Sequence, residues 1–307
     1  MTPTLQEKSE AIIQKIQGAV VAPYEVIRLA ALGLICQGHI LVDDFPGVGK
    51  TLLAKSLAGS ITAVFKRIQF TPDLLPTDIT GGDVYDQKQG KFNFVAGPVF
   101  GNIILADEIN RATPRTQSAL LEAMGERQVS CDGVIRPLPE LFFVIGTQNQ
   151  VDFEDTFSLP YAQLDRFMLS LQLGYPGVNE QVQILERNRL GEPGVEPVAT
   201  VEEIVELHKL VLGVEVSLPV MEYISRIVLE TRSHPQILIG ISPRGGVALQ
   251  RAAQGHASLC GSTYVRPDDV KAVAEPVIRH RLVLRSAQNG HLGELIRDIL
   301  DAVPVPV

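Results

Sequence analysis

The feature that most constrains the fold is the stretch HILVDDFPGVGKTLLAKSLAG, residues 39–59. A short, mostly apolar run leads into a loop with two glycines, and good helix-forming residues follow directly. The second half of the pattern G-x-x-x-x-G-K-[ST] is present as Gly49, Lys50 and Thr51, whereas Asp44 stands where the pattern has its first glycine. A strand, a glycine-bearing loop and a helix in this order predict a βα unit of a parallel sheet.

The order of elements up to residue 175 predicts a doubly wound α/β domain. Short apolar runs alternate with helical patterns, which is typical of parallel strands that helices cover on both faces. We predict strands at 39–42, 64–70, 102–106, 141–146 and 168–173. We predict helices at 51–60 and 113–125, and a short one that ends near residue 167.

A second, helical region is predicted beyond the breaker Tyr175-Pro176-Gly177. Apolar residues recur there at the spacing of amphipathic helices. We predict these helices at 179–189, 201–212, 219–231, 242–260 and 267–281. The chain is therefore expected to contain an α/β domain over 1–175 and a smaller, all-helical domain over 176–307.

Two inserts interrupt the α/β pattern. Residues 83–94 contain VYDQKQGKFNF, in which apolar residues flank a polar turn with a glycine. Residues 127–138 read RQVSCDGVIRPL, and the pair Asp132-Gly133 is a strong hairpin signal. Both inserts are predicted to be β-hairpins.

The charge balance restricts the partners of the chain. Its 307 residues carry a formal net charge of −8, and the isoelectric point is about 5.3. A protein that binds nucleic acid through the phosphates normally presents a basic face, so the composition disfavours a nucleic-acid partner.

Cysteine, histidine and hydropathy patterns indicate the compartment and the metal chemistry. Cys36, Cys131 and Cys260 lie far apart with no C-x-x-C pair, as expected in a reducing compartment. The six histidines form no H-E-x-x-H pattern and no cluster with cysteine, so we expect no metal site built only from protein ligands. Because the start of the chain lacks a signal-peptide pattern and no run of about 18 apolar residues occurs, we expect a cytoplasmic protein without a membrane span.

The glycine-bearing loop has the chemistry of a phosphate site. Backbone N–H groups at a helix N-terminus carry partial positive charge and favour an anion. Gly47 and Gly49 allow the backbone to approach closely, Lys50 can reach the terminal phosphates, and the Thr51 hydroxyl suits Mg²⁺. Asp44 is compatible with this chemistry if its carboxylate points away from the phosphates, and costly if it points towards them.

Polar side chains follow two further predicted strands. Asp107 and Glu108 come directly after the apolar run 103–106, and Asn149 follows the apolar run 142–146. Ligands bind at the carboxyl ends of the strands in open α/β sheets. Asp107 therefore suits the shell of Mg²⁺, Glu108 suits a base that polarises the attacking water, and Asn149 is placed to orient that water.

Six segments together resemble the MoxR group of AAA+ ATPases. These segments are VDDFPGVGKT, ILADEINRA, TQSALLEAMGERQV, IGTQN, LPYAQLDRF and SPRGGVALQRAA, in that order between residues 18 and 282. The group includes loops with an acid at the position of Asp44, so the departure from the usual pattern lies within its range. The resemblance implies a P-loop NTPase (AAA+) core, with a parallel sheet covered by helices, followed by a helical lid.

The resemblance also implies a role for each motif at the sheet edge. Lys50 and Thr51 match the Walker A pair, and Asp107 and Glu108 match the Walker B pair. Asn149 matches the polar residue of sensor 1. ATP and Mg²⁺ are therefore the implied ligands.

Further residues are assigned by the resemblance alone. Arg166 matches the arginine finger, which acts on the nucleotide of a neighbouring subunit, and Arg244 matches the sensor 2 arginine, expected on the phosphates of its own chain. Val20 and Val21 lie where the family packs the adenine. The loop residues expected to touch the nucleotide are Pro46, Gly47, Val48, Gly49, Lys50, Thr51 and Leu52.

The resemblance implies an oligomeric, Mg²⁺-dependent ATPase, expected to form a hexameric ring and to remodel or mature a protein client in a chaperone-like way. Both hairpins are expected to face the central pore or the partner. A partner with a von Willebrand factor A domain is implied by the family only.

Three alternatives stay open from the sequence. A nucleic-acid motor or a magnesium-chelatase-like motor subunit shares the hairpin insert, although the acidic charge balance disfavours nucleic acid. A GTP-dependent switch is suggested weakly by Asn149-Gln150-Val151-Asp152, which lacks the lysine of N-K-x-D. An ATP-binding scaffold without turnover is hard to reconcile with a full set of catalytic positions.

Overall fold

The computed structural model describes residues 5–131, 133–149, 156–190, 194–286 and 292–306. Within these ranges the helices are α1 Leu5–Ala19, α2 Tyr24–Ile35, α3 Lys50–Gly59, α4 Pro76–Thr80, α5 Pro114–Glu126, α6 Tyr161–Leu164, α7 Val178–Leu190, α8 Val201–Leu212, α9 Leu218–Ser233, α10 Pro243–Leu259, α11 Pro267–Ile278 and α12 Leu292–Ala302. The strands are β1 Ile40–Asp43, β2 Ile61–Thr62, β3 Phe65–Gln69, β4 Gly81–Asp86, β5 Lys91–Ala96, β6 Ile103–Asp107, β7 Gln128–Cys131, β8 Val134–Pro137, β9 Phe143–Gln148, β10 Leu169–Leu171, β11 Ala199–Thr200, β12 Ile237–Ile239 and β13 Val283–Leu284.

A five-stranded parallel sheet forms the centre of the first part of the chain, and it confirms the predicted α/β class. Its strand order is β10-β1-β9-β6-β3, and each of its pairings is parallel. The register pairs Asp43 with Gln148 and Gln69 with Asp107. The carboxyl ends of four strands therefore meet at one edge of the sheet, where Lys50, Asp107, Glu108 and Asn149 lie.

Both faces of the sheet are covered, as the continuously apolar strands require. Ile103 and Leu105 pack into one buried cluster, together with residues of α1, α2, α3 and the helical region. Ile104 and Ala106, which alternate with them along β6, pack into a second cluster with residues of α5. Alternate side chains of one strand thus enter two different cores.

The two predicted hairpins are confirmed, except that Asp132 lies outside the described residues. Strands β4 and β5 pair antiparallel, and so do β7 and β8. Arg136 of β8 joins the hairpins, because its guanidinium lies 3.8 Å from the centre of the Phe94 ring and 3.5 Å from a carboxylate oxygen of Asp83.

The five helices predicted beyond residue 176 are present as α7 to α11, and α12 follows them. The same region contains short strands that its apolar spacing did not indicate: β12 pairs antiparallel with β13, and β11 pairs with β2. Helix α10 packs closely on α2, since a Cβ placed on Gly255 would lie 2.4 Å from Cys36 Sγ. The buried core is continuous between the two regions, so the division at residue 175 stays a prediction. None of the described helices has the length and apolar character needed to cross a bilayer.

Candidate functional site

The loop between β1 and α3 has the geometry of an anion cradle. Gly47 and Gly49 have φ values of 80° and 98°, a region that residues with a Cβ rarely adopt. Helix α3 begins at Lys50, so its free N–H groups face the loop. A cavity of about 380 Å³ opens at this point, and we call it the loop cavity. Its lining residues are Pro46, Gly47, Gly49, Lys50, Thr51, Leu52, Lys55, Asp107, Glu108 and Asn149.

Lys50 is held by oxygen atoms of two strand ends. Its Nζ donates hydrogen bonds of 2.8 Å to the carbonyl oxygens of Asp44 and Gln148 and one of 2.6 Å to Asn149 Oδ1. The residue is 8% exposed, and burial lowers the pKa of its ammonium group, while Asp44, Asp107 and other nearby carboxylates oppose that shift. The three acceptors and these acids keep a positive charge at the position that terminal phosphates require.

The Asp44 carboxylate points away from the loop cavity. Its Oδ1 accepts the N–H of Phe45 at 2.8 Å, and its Oδ2 accepts the N–H groups of Leu173 at 2.5 Å and Gly174 at 2.8 Å. The acid in place of the first glycine is therefore compatible with a bound phosphate, which resolves the condition that the sequence set.

Asp107 ends β6 at the carboxyl edge of the sheet. Its Oδ1 accepts a hydrogen bond of 2.7 Å from the Thr147 hydroxyl. Its Oδ2 accepts bonds from Arg67 Nη2 at 2.6 Å and Nε at 3.2 Å. The carboxylate is thus fixed from both sides while it lines the loop cavity.

Glu108 follows in the left-handed conformation, with φ of 56°. Its Oε1 accepts a hydrogen bond of 3.0 Å from Asn149 Nδ2. Its Oε2 accepts bonds from Gln69 Nε2 at 3.0 Å and Arg111 Nη1 at 2.9 Å. This backbone conformation turns the carboxylate towards the cavity. A non-glycine residue at positive φ is costly, so the placement of Glu108 lowers local stability.

A single chain of contacts connects the predicted catalytic residues. Asn149 accepts from Lys50 and donates to Glu108, so the structure brings together the three side chains that the sequence assigned to one site. Thr51 lines the same loop cavity.

The donor set fits a magnesium ion. The Thr51 hydroxyl and the Asp107 carboxylate both line the loop cavity beside Lys50, and Mg²⁺ prefers hard oxygen ligands next to substrate phosphates.

A second cavity, of about 430 Å³, lies on the other side of the loop and is mostly apolar; we call it the apolar cavity. Val20 and Val21 line it, as the resemblance implied, and so do Val48 and Leu52. It shares with the loop cavity the residues Pro46, Gly47, Gly49 and Leu52. The two cavities therefore adjoin across the loop, as a base and its phosphates require.

Arg166 lies at the opposite end of the sheet. It precedes β10, whereas the loop follows β1, and the two strands run parallel. Its Nη1 donates to the carbonyl of Leu121, and its buried Nε has no hydrogen-bond partner among the described residues. Parallel strands thus separate Arg166 from the loop cavity of its own chain.

The resemblance implied that Arg244 lies against the phosphate loop of its own chain, but the structure places it elsewhere. It lines a cavity of about 190 Å³ with Arg166, and no lining residue of this cavity lines the loop cavity or the apolar cavity. The Ser242 hydroxyl donates to Asp165 Oδ2 at 2.6 Å, and Asp165 Oδ1 accepts from Arg281 Nε at 2.8 Å. These bonds fix the start of α10 beside Arg166, which corrects the expected position of Arg244.

This third cavity, the arginine cavity, is strongly cationic. It is lined by Arg127, Arg166, Arg244, Arg251 and Arg281, with Asp165 as the acid among its lining residues. Arg281 is paired with Asp165. Within the described ranges, the other four arginines form no ion pair with a carboxylate. Arg127 and Arg166 donate to uncharged oxygens only, so their charges are not neutralised inside the chain.

Three residues of the site were not singled out from the sequence. Arg67 and Gln69 occupy alternate positions of β3 and so share one face beside Asp107 and Glu108. Because β3 is the edge strand of the sheet, polar residues are common there and gave no specific signal. Thr147 lies two residues before Asn149 in the same strand segment. It is fully buried, and its hydroxyl also accepts the N–H of Glu108 at 2.8 Å.

One histidine does lie near a cysteine, so the absence of such a cluster noted from the sequence is corrected, while the expectation of no metal site built only from protein ligands stays a prediction. His256, Cys260 and Asp269 have side-chain ligand atoms within 4.8 Å of one another, and the spacing of four residues between the first two on one helix was the missed signal. Asp269 accepts the N–H of Arg266 at 2.8 Å and contacts His256 Nδ1 at 2.9 Å. The group therefore joins the start of α11 to α10.

The cradle, the acids at the strand ends and the lid define the class: a P-loop nucleotide-binding protein. Residues 39–169 match the family described as "ATPase family associated with various cellular activities (AAA)", and residues 229–302 match the AAA lid domain.

Comparison with known proteins agrees with this class. The chain is 45% identical to YeaC of Bacillus subtilis over 96% of this chain and 94% of that protein. It is 38% identical to chaperone MoxR1 of Mycobacterium tuberculosis over 90% of this chain and 75% of that protein. A crystal structure from Cytophaga hutchinsonii, described provisionally as an ATPase, superposes with a TM-score of 0.89 at 34% identity, over 99% of this chain and 96% of that one. The chain belongs to the MoxR family of AAA+ ATPases.

Proposed function

We propose that the protein hydrolyses ATP with Mg²⁺ as an oligomer, and that it uses the reaction to remodel or mature a protein client. The observation that carries the proposal is the separation of two half-sites: the phosphate cradle lies at one end of the sheet, and the unpaired arginines lie at the other. A complete site requires two copies of the chain.

The nucleotide fits the two adjoining cavities. The apolar cavity takes the base against Val20 and Val21, and the loop amides of Gly47, Val48 and Gly49 bind the phosphates at the N-terminus of α3. Lys50 transfers its hydrogen bonds from protein oxygens to the terminal phosphates. The Thr51 hydroxyl and the Asp107 carboxylate would hold Mg²⁺, which supplies charge neutralisation of those phosphates when bound.

Glu108 and Asn149 act on the attacking water. The Glu108 carboxylate lines the loop cavity and accepts the proton as the water attacks the γ-phosphorus in line. Asn149, bonded to both Lys50 and Glu108, keeps the base at a fixed distance from the phosphate that Lys50 binds. This arrangement uses positioning and electrostatics, the main contributions in phosphoryl transfer.

Arg166 and Arg244 supply positive charge to the nucleotide of a neighbouring copy. They lie together in the arginine cavity, and an arginine delivered in trans to a phosphoryl transition state contributes about 10³–10⁵ in rate. A repeated head-to-tail contact gives a ring when the rotation between subunits closes, and a hexamer is the ring that the family resemblance favours.

The two hairpins are the proposed contact with a client. Phe92 of β5 is 67% exposed and Ile135 of β8 is 61% exposed, and exposed apolar side chains on adjacent hairpins suit an unfolded or partly folded chain. A partner with a von Willebrand factor A domain and a cytoplasmic location complete the proposal, and both derive from the resemblance and the composition.

The test combines two variants with dilution. Lys50→Ala should abolish binding of N-methylanthraniloyl-ADP, while Glu108→Gln should bind it normally and show a turnover at least about 10²-fold lower. The wild-type rate per subunit should fall on dilution, because the site needs a neighbour. A rate per subunit that is independent of concentration down to single chains would refute the two-copy site, and hydrolysis stimulated by DNA instead of by proteins would favour the nucleic-acid motor.

A further inference from the structure

Asp44 faces two elements at once. Its backbone carbonyl accepts a hydrogen bond of 2.8 Å from Lys50 Nζ. Its carboxylate accepts the N–H groups of Leu173 and Gly174, just beyond β10. The residue is 3% exposed, so these contacts exclude water.

A stacked ring pair repeats the connection one residue further along. The rings of Phe45 and Tyr175 have centroids 4.7 Å apart and an interplanar angle of 22°. Two successive residues of the loop therefore contact three successive residues of the segment 173–175, which we call the linker because it leads from β10 to α7.

The linker is anchored at its start by Leu173, which is 7% exposed and belongs to the buried core, and its end is at the surface, where Tyr175 is 69% exposed. It is followed by α7, in which none of residues 178–189 is buried. The backbone of Gly174 has a φ of 72°, so the chain turns sharply where the carboxylate binds it. Beyond the Leu173 side chain, the contacts with Asp44 and Phe45 attach the linker to the phosphate loop.

The linker and the loop form two walls of the apolar cavity. Leu173, Gly174 and Tyr175 line it from one side, and Gly47 and Val48 line it from the other. Asp44 lines neither the apolar cavity nor the loop cavity. Its effect on a bound nucleotide must therefore pass through the segments that it joins.

We propose that Asp44 is a positioning residue that locks the linker onto the phosphate loop, so that the apolar cavity has its binding shape before a nucleotide arrives. Fixing a binding site in advance raises affinity, because less ordering remains to be done on binding. The inference rests on the proposed function, since it assumes that this cavity takes the base of ATP. A glycine at position 44 would be compatible with the loop, but it would lack the carboxylate that binds the linker.

The test substitution is Asp44→Asn, which keeps the shape but places an NH₂ group among N–H donors. We expect the Kd for N-methylanthraniloyl-ADP and the KM for ATP to rise about tenfold, as for the loss of hydrogen bonds to a charged group. The kcat at saturating ATP should stay within about twofold, because the groups that act on the phosphates are unchanged. The matched control is Asp298→Asn on the exposed face of α12.

A second variant and a reporter protect the test against misfolding. Phe45→Ala removes only the ring contact and should raise KM by about threefold with kcat unchanged. The chain contains no tryptophan, so Tyr175→Trp introduces a sole reporter. Because position 175 is largely exposed, the expected signal is a fall in the fluorescence anisotropy of this tryptophan when Asp44→Asn is added.

The outcomes separate this inference from the proposed function. If the wild type does not bind the ADP analogue, the proposed function fails. If the wild type binds it and the Asp44→Asn and Phe45→Ala proteins bind it equally well, only the positioning role fails. A fall in kcat with an unchanged KM would also overturn that role, because it would place Asp44 in the chemical step.

Discussion

The Thr147 hydroxyl donates a 2.7 Å hydrogen bond to Asp107 Oδ1 and accepts the N–H of Glu108 at 2.8 Å. One buried side chain thus fixes both acids, the first through its carboxylate and the second through its backbone. Since Glu108 is held at positive φ, the bond from Thr147 helps to keep the base in a conformation that it would otherwise avoid.

Thr147→Val is expected to lower kcat by about 10²-fold with a small effect on binding of the ADP analogue. Valine fills the same volume but cannot bond to either acid, and a shift of the reacting groups by about 1 Å is enough for such a loss. Steady-state ATP hydrolysis measures the effect, and Thr147→Ser, which retains the hydroxyl, is the control. Equal rates for the valine and serine proteins would show that packing alone matters at this position.

Arg67→Ala is expected to lower the Mg²⁺ concentration at half-maximal hydrolysis. Arg67 Nη2 lies 2.6 Å from Asp107 Oδ2, so the guanidinium competes with the ion for the same carboxylate. Because Arg67 is partly exposed, the pair is weak and the change should be about twofold to fivefold. Titration of Mg²⁺ into the EDTA-treated protein gives the midpoint. A higher midpoint in the alanine protein would mean that Arg67 supports the ion instead of competing with it.

The sheet and the loop side of the site could be predicted from the sequence because local patterns encode them. Lys50, Asp107, Glu108 and Asn149 each follow an apolar strand, and parallel strands bring their ends together. The orientation of Asp44 could not be predicted, because its partners Leu173 and Gly174 lie far along the chain.

The position of Arg244 shows a different limit. Its motif identifies the residue, but where it lies depends on how α10 docks, and that is decided by Ser242, Asp165 and Arg281. Contacts of this kind join segments separated by 77 and 116 residues, and no spacing pattern records them.

Subunits with Arg244→Ala are expected to be inactive alone and to regain activity when mixed with Lys50→Ala subunits. The Arg244→Ala subunit keeps an intact cradle, and its neighbour provides the missing arginine. Equal mixing should give about a quarter of the wild-type rate, the fraction of interfaces with both parts intact. A mixture as inactive as its components would show that Arg244 acts within its own chain.

Phe92→Ser is expected to weaken client binding without changing basal hydrolysis. Phe92 lies on a hairpin strand and lines neither the loop cavity nor the apolar cavity, and its exposed ring is available to an apolar segment. Suppression of aggregation of heat-denatured citrate synthase is the measurement, and basal hydrolysis should stay within about twofold. The control is Lys88→Ser, at the turn of the same hairpin. Full protection by the Phe92→Ser protein would exclude this hairpin as the client surface.

Stability is expected to fall between pH 7.5 and pH 5 because His39 is buried in its neutral form. Burial lowers the pKa of His39 to about 4, and Arg127 adds to that shift; His39 Nδ1 accepts the N–H of Val144 at 3.0 Å.

In the unfolded chain a histidine titrates near 6.5. Below that pH the unfolded state binds a proton that the folded state does not bind, so the free energy of unfolding decreases as the pH falls. His39 alone should cost about 2 kcal/mol by pH 5, and His280, whose pKa burial also lowers, acts in the same direction. Urea unfolding at both pH values measures the change. His39→Gln should remove about one proton from the difference in protons bound by the unfolded and folded states. The control His234→Gln, at a half-buried histidine, should keep a larger pH dependence of the free energy of unfolding than His39→Gln. An unchanged pH dependence in His39→Gln would show that His39 is not the group that titrates.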